Sequence, residues 1–361
     1  MKILQLQYES HQPVKTMPRP SLQTFIASLF LLLILLFTAG CSLYPQDNYT
    51  ELVVVESYLI TGEPLAEVRI SRTLPVFEEY SFEKAALNDA NVVITEISPT
   101  GDLLQTHLYE AKEPGIYTPA DPSVRVKPST RYNLSVTFDN RDEEIRATTT
   151  TPAQIQIVNE IPEIIQYQSE EQFTLLVDPG SYSEDVLSGM DGQETQHGQE
   201  TQHGEEAHHG EEDQHGQSTT TSTAPNVTFI INTIAQDTLL ENLTPFYRNL
   251  YDEVEDIEFS ELQVNSSGLL NEANFGRNTD GLIELQYPWL AVVFLGQNEV
   301  VIHSVDENTN LFLRSQSVQL GGSTLPPGEI PNITYRVDGG IGIFGSSATD
   351  TARIQVQFFP G

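Results

Sequence analysis

The amino-acid sequence predicts a mainly β protein with one or two short helices. Three observations carry this prediction: short runs rich in Val, Ile, Thr and Tyr, an alternation of apolar and polar residues within several of these runs, and clusters of Gly, Pro, Ser and Asp between them. Of the 361 residues, 39% are hydrophobic, so the chain has enough apolar material for the cores of two domains.

Five strands are predicted in the first half of the chain. They lie at residues 52–60, 66–71, 90–97, 131–138 and 144–151. Turn-forming sequences separate them, among them Thr61-Gly62-Glu63-Pro64 and Pro114-Gly115. Because five to seven short strands in about a hundred residues are typical of a sandwich, residues 49–152 are predicted to form an immunoglobulin-like β-sandwich.

Residues 153–361 are predicted to form a second domain, which is β-rich with one or two short helices. Its strands are predicted at residues 226–235, 281–287, 290–295, 300–305 and 352–359. Leu and Tyr at three- and four-residue spacings predict a helix within residues 239–254 that begins at or after Pro245, and Asp306 is placed to cap a short helix through Leu313.

A low-complexity insertion at residues 183–225 interrupts this second domain. It consists largely of Gly, Gln, Glu, His, Ser and Thr, and the heptapeptide GQETQHG occurs twice in succession. Such a composition buries too little apolar area to offset the entropy of ordering the chain, so the insertion is predicted to be disordered.

The N-terminal segment is typical of a bacterial lipoprotein signal peptide. Residues 25–37 are uncharged and apolar, too few to cross a hydrocarbon core of about 30 Å but suited to the hydrophobic region of a signal. Thr38-Ala39-Gly40-Cys41 follows, and small residues before the only cysteine resemble a lipobox, in which the thiol is diacylated. We therefore expect removal of residues 1–40, a lipid on Cys41 and a tether at residues 41–48. The alternatives are an ordinary secretory signal with an incidental cysteine and an uncleaved N-terminal anchor.

The charge and the cysteine count exclude several functional classes. With 51 acidic and 17 basic residues the formal net charge is -34, so phosphate backbones and anionic lipid headgroups repel the chain. We therefore expect no nucleic-acid partner. One cysteine excludes an internal disulfide and a cysteine-based metal cluster.

Several long segments resemble a known family. They are LVVVESYLITGEPLAEVRISRT at residues 52–73, ALNDANVVITE at residues 86–96, TTTTP at residues 148–152 and PNITYRVDGGIGIFGS at residues 331–346. Together they resemble the bacterial lipoprotein family called domain of unknown function 4249. The resemblance implies a lipid-anchored protein of the outer membrane or cell surface, on either face, and an accessory or binding role beside a TonB-dependent transporter. It implies no catalytic residues.

The glycines near the C-terminus are the most specific part of that resemblance. Gly340, Gly342 and Gly345 also fit the G-x-G-x-x-G pattern of dinucleotide sites, but no helix or correctly spaced acidic residue is predicted after them. We therefore expect no cofactor there. With Gly339, these glycines are interpreted as structural, allowing positive φ at a bulge or a tight turn.

The histidines of the insertion support an alternative function, which is weak binding of Zn, Cu or Ni. The candidate ligands are His197, His203, His208, His209 and His215. The other interpretation is a solvated loop without a dedicated role. Calorimetric Zn titration of the chain with and without residues 190–216 distinguishes the two, because equal titrations contradict metal binding.

The sequence contains no signature of a hydrolase. G-x-S-x-G, H-E-x-x-H and the phosphate-binding G-x-x-x-x-G-K are absent. We therefore expect a non-enzyme, and a surface hydrolase without a recognisable motif is the third hypothesis.

Overall fold

The computed structural model of the chain describes residues 49–75, 77–169, 172–181, 227–254, 257–317 and 332–358. The lipidation candidate Cys41 and the five histidines of the insertion lie outside these ranges. None of the helices within them is long and apolar enough to span a bilayer.

Within residues 49–75 and 77–152, the chain contains seven strands and one short helix. They are β1 Val53–Ile60, β2 Val68–Arg72, α1 Phe82–Ala85, β3 Ala90–Ile97, β4 Leu103–Glu113, β5 Ile116–Pro119, β6 Arg131–Phe138 and β7 Glu144–Thr150. The five predicted strands are confirmed as β1, β2, β3, β6 and β7. Strands β4 and β5 were not predicted, although the Pro114-Gly115 turn between them was.

The second half contains ten strands, two α-helices and several short 3-10 turns within the described ranges. The strands are β8 Gln156–Ile157, β9 Ile165–Gln166, β10 Phe173–Asp178, β11 Thr228–Ala235, β12 Val264–Ser266, β13 Leu270–Asn271, β14 Ile283–Tyr287, β15 Gly296–Val305, β16 Val337–Asp338 and β17 Ile341–Gln357. The helices are α2 Pro245–Glu253 and α3 Glu307–Ser317. Both helix predictions are confirmed, because α2 begins at Pro245 and Asp306 accepts a hydrogen bond from the Thr309 amide in the first turn of α3 (3.0 Å).

The predicted strand at residues 290–295 is wrong. Trp289–Ala291 form a 3-10 turn, and the buried residues that follow belong to no strand, although Phe294 makes an isolated β-bridge with Leu243. Their backbone groups bond to the segment before α2, with Thr244 donating to the Val293 carbonyl (2.9 Å) and Leu295 donating to Asn242 (2.7 Å). The apolar run therefore reflects burial and not a sheet ladder.

Strand β17 joins the two halves of the chain. It pairs in parallel with β1 through residues 341–347 and antiparallel with β15 through residues 347–356. The large sheet has the order β12-β11-β15-β17-β1-β2-β5-β4-β3-β6-β7-β16, and a small sheet has the order β14-β10-β8. The mainly β class is confirmed, whereas the immunoglobulin-like sandwich and the domain boundary at Pro152 stay predictions.

Two principal hydrophobic cores lie on either side of this junction. The first contains inward-facing residues of β1 to β7 together with Val337 and Phe344 from the C-terminal strands. The second contains residues between Ile155 and Val356, drawn largely from β10, β11, β14, β15 and β17. Strand β17 thus contributes side chains to both cores.

Candidate functional site

The glycines at the start of β17 lie against the backbone of neighbouring strands. Gly339 and Gly342 have φ values of +79° and +118°, in the region that favours glycine. A Cβ on Gly342 would lie 2.0 Å from the Val55 carbonyl oxygen, and one on Gly340 would lie 2.7 Å from the Val53 oxygen. A Cβ on Gly345 would meet the Thr309 hydroxyl at 2.4 Å. The G-x-G-x-x-G pattern lies at the start of a strand and continues into it, without the following helix that a dinucleotide site needs.

A buried polar cluster centres on Asp306, between β15 and α3. Its Oδ1 accepts hydrogen bonds from the Thr309 amide (3.0 Å), the Thr309 hydroxyl (2.6 Å) and the Ser346 amide (3.0 Å). Its Oδ2 accepts from the Thr149 hydroxyl at 2.7 Å, and Thr149 also lies 2.7 Å from the Ser346 hydroxyl. One carboxyl group therefore connects α3, β17 and β7.

The environment of Asp306 changes its acidity. Burial raises the pKa of Asp306, and the hydrogen bonds from Thr309, Thr149 and Ser346 oppose that change without cancelling it. Asn308 extends the cluster, because its side-chain amide donates to the Thr148 carbonyl (2.6 Å) and the Phe344 carbonyl (2.9 Å). The hydrogen bonds of Asp306 and Asn308 therefore link α3 to β7 and β17.

A second buried cluster brings together a carboxylate, an imidazole and an ammonium group. Glu96 is fully buried in β3, and its Oε1 lies 3.2 Å from the His107 Nε2 in β4. The half-exposed Lys127 donates to the Glu96 Oε2 at 2.5 Å. These groups resemble an acid–base pair, and Glu96 and His107 are both buried. The Lys127 ammonium and the His107 ring each contact one oxygen of the buried Glu96 carboxyl group, which compensates for its removal from water.

Aromatic side chains form a chain of edge contacts in the second half. Trp289 packs edge-on against Tyr167 (centroids 5.5 Å apart) and Phe246 (6.0 Å). The Tyr247 hydroxyl donates to the Leu290 carbonyl at 2.9 Å, and Tyr251 packs edge-on against a neighbouring Phe. These aromatic rings therefore pack edge-on against one another.

Two small clefts lie on the described part of the chain. One cleft, beside Leu104, Ile97 and Arg131, encloses about 70 Å³, and another, beside Tyr167 and Trp289, encloses about 30 Å³. Small-molecule sites are usually some 300–1,000 Å³. No group of three or more His, Cys, Asp or Glu within these ranges is arranged to hold a metal ion.

Strand β4 carries an unusual set of exposed leucines. Leu103, Leu104 and Leu108 are 62%, 59% and 61% exposed, and we call these three residues the leucine face. Leu108 lies opposite Val93 of β3, and Leu103 lies opposite Ile97 across a register shift that accommodates the extra residue Leu104. Two apolar cross-strand pairs thus lie on the solvent side of the sheet, with the Thr95–Thr106 pair between them.

Sequence reasoning missed the leucine face, although a signal was present. Leu103 and Leu104 are adjacent, and in a regular strand at most one of two adjacent residues can face a given core. Exposed patches of this kind mark contact surfaces in many proteins.

Comparison with known proteins establishes the family. The sequence model of the protein family described as domain of unknown function (DUF4249) matches residues 43–353. The chain belongs to the DUF4249 family. In this DUF4249 protein, the matched residues include strands from both halves of the chain and the glycine-rich start of β17. No curated protein matches its sequence.

Solved structures show only remote likeness to this DUF4249 protein. Alpha-2-macroglobulin from Escherichia coli, activated by porcine elastase, has 7% identity and a TM-score of 0.18, with 85% of this chain and 20% of that chain covered. The Salmonella alpha-2-macroglobulin reacted with methylamine has 10% identity and a TM-score of 0.20, with 85% and 15% covered. A tetra-tandem repeat of a large adhesion protein has 12% identity and a TM-score of 0.18, with 84% and 49% covered. The chain spans a fifth or less of the two macroglobulin chains, and likeness at this level carries no functional argument.

Proposed function

We propose that this DUF4249 protein is a lipid-anchored protein of the outer membrane that binds a protein partner and catalyses no reaction. The partner implied by the family resemblance is a TonB-dependent transporter. The observation that carries the binding role is the leucine face, whose three side chains are each about 60% exposed on one strand. The lipid anchor is supported by the lipobox-like Thr38-Ala39-Gly40-Cys41.

A protein partner fits the leucine face better than a small ligand does. Leu104 of the leucine face lines a cleft of about 70 Å³, which is small beside the 300–1,000 Å³ of usual small-molecule sites. Residues 103–108 of β4, which include the leucine face, pair with β3, and residues 109–113 pair with β5. Recognition through the exposed leucine side chains would gain free energy, because a partner removes them from water.

The partner-binding proposal predicts that polar substitutions on the leucine face release the partner. The double variant Leu103→Ser/Leu108→Ser is expected to lower the yield of a co-purified TonB-dependent transporter roughly tenfold in mild detergent, because two exposed apolar contacts are lost. Thr106→Ser, between them on the same face, is the matched control and is expected to retain the transporter. Equal yields from both variants, or no transporter with the unaltered chain, would contradict the proposal.

The anchor is tested by lipid labelling in the native host. Cys41→Ala is expected to abolish incorporation of a radiolabelled fatty acid and to release the protein from the membrane fraction, since no other thiol exists in the chain. Thr38→Leu changes the same motif but introduces the residue commoner at that position, and it is expected to preserve labelling. Unchanged labelling of Cys41→Ala would exclude the lipobox.

A further inference from the structure

Hydrogen bonds hold the chain in place at Glu51 and Leu52, just before β1. We call the β-rich region that begins there the β body, and we call these two residues its entry point. The Leu52 amide donates to the Thr73 hydroxyl (3.0 Å), and the Thr73 amide donates back to the Leu52 carbonyl (2.9 Å). Glu51 accepts hydrogen bonds from Arg72 at 3.2 Å and from Arg141 at 2.9 Å. The start of β1 is therefore fixed beside the end of β2 and the segment that follows β6.

Apolar side chains project into solvent at this same end. Phe77 is 86% exposed, Tyr80 is 63% exposed and Leu52 is 41% exposed, and we call these three residues the apolar tip. Phe77 lies in a turn in which the Glu78 amide donates to the Pro75 carbonyl (2.9 Å). Phe77 and Tyr80 thus follow Thr73, the partner of Leu52, by only a few residues, and most of each side chain is exposed to water.

The length of chain before the apolar tip limits its distance from the membrane. This step rests on the proposed lipid at Cys41. Glu51 lies ten positions after Cys41, and a fully extended chain of that length reaches at most about 35 Å. The entry point of the β body is thus restricted to the neighbourhood of the bilayer, and the apolar tip lies at that entry point.

The chemistry of the apolar tip indicates which surface it meets. Aromatic side chains favour the headgroup region of a bilayer, where the ring is partly dehydrated and a hydroxyl such as that of Tyr80 stays in contact with water. Glu78 and Glu79 lie between the two rings and would be repelled by anionic headgroups. We propose that the apolar tip inserts into the headgroup region of a zwitterionic bilayer and so fixes the orientation of the anchored β body.

Site-specific fluorescence tests this orientation on the full lipidated chain. Cys41 is the only cysteine and its thiol carries the lipid, so one introduced cysteine takes one fluorophore. Glu79→Cys places the label within the apolar tip without removing Phe77 or Tyr80. Thr100→Cys is the control. Strand β3 begins at Ala90, at the end of the β body that carries the apolar tip, and it ends at Ile97, at the opposite end. Thr100 lies in the turn that follows Ile97.

The measurement is quenching by nitroxide-labelled lipid in phosphatidylcholine–phosphatidylethanolamine vesicles. We expect several-fold stronger quenching at position 79 than at position 100. The double substitution Phe77→Ser/Tyr80→Ser in the Glu79→Cys chain should reduce the quenching at position 79 to the value at position 100. Adding anionic lipid at low salt should weaken quenching at position 79, and raising the salt should restore it.

The possible results separate the two proposals. Vesicle binding with equal quenching at positions 79 and 100 would overturn the apolar-tip proposal and leave the lipid anchor intact. Failure of the chain to float with vesicles would overturn the anchor and, with it, the inference that rests on it. Quenching that rises with protein density on the vesicles would identify a second copy as the occupant and would also overturn the proposal.

Discussion

Replacement of Gly342 by alanine is expected to destabilise the protein by roughly 3–5 kcal/mol. Two effects add at this position. Its φ of +118° is costly for any residue with a side chain, and the new Cβ would lie 2.0 Å from the Val55 carbonyl oxygen. Because Val55 and Gly342 are partners in the parallel β1–β17 register, the strands must separate to relieve the overlap.

Two other glycines serve as controls for this substitution. Gly62 has a φ of +85° with nothing within 4 Å of a new Cβ, so Gly62→Ala isolates the backbone cost of about 1 kcal/mol. Gly276 has neither a positive φ nor a close neighbour, so Gly276→Ala is expected to be nearly neutral. Urea unfolding of the three variants measures the differences, and equal losses for Gly342→Ala and Gly62→Ala would refute the close approach of β1 and β17.

Asp306→Ala is expected to cost about 3–5 kcal/mol in the free energy of unfolding. The substitution removes the acceptor for two backbone amides, Thr309 and Ser346, which cannot turn to another partner inside the protein. The hydroxyl of Thr149 loses less, since the Ser346 hydroxyl remains 2.7 Å away. Asp350→Ala is the matched control, because this half-buried carboxylate also accepts from two backbone amides, and we expect it to cost about 1 kcal/mol.

The isosteric variant Asp306→Asn separates the hydrogen bonds from the ionisation. Because burial raises the pKa of Asp306, the folded state retains a proton that the unfolded state has already lost. The stability of the unaltered protein is therefore expected to fall, relative to Asp306→Asn, as the pH rises above the ordinary Asp value of 3.8 and through the raised pKa. Unfolding curves between pH 4 and 8 check this, and a difference that is independent of pH would contradict the raised pKa.

Local pattern was sufficient to predict much of the strand content. Strands β3 and β6 match their predicted residues because both alternate buried and less buried positions along the strand. Strand β4 was missed because its first six residues do not alternate, and three of its leucines face solvent. The segment at residues 290–295 misled the prediction because a fully apolar run indicates burial but does not specify hydrogen-bond partners.

The Asp306 cluster and the apolar tip depend on contacts between residues that are far apart in the sequence. The sequence predicted Asp306 as a helix cap, but its bonds to Thr149 and Ser346 span 157 and 40 residues of chain. The apolar tip likewise depends on the pairing of Leu52 with Thr73, since Phe77 lies 25 positions after Leu52 in the sequence.

By itself, the sequence determined the family, the mainly β class and the start of both longer helices, because propensity, periodicity and capping act over only a few neighbouring residues. The tertiary structure alone decided that β17 pairs in parallel with β1, that Asp306 joins three elements, and which leucines and aromatic rings remain exposed. The physical reason is that strand pairing and burial are set by contacts between distant segments, and such contacts leave no fixed spacing in the chain.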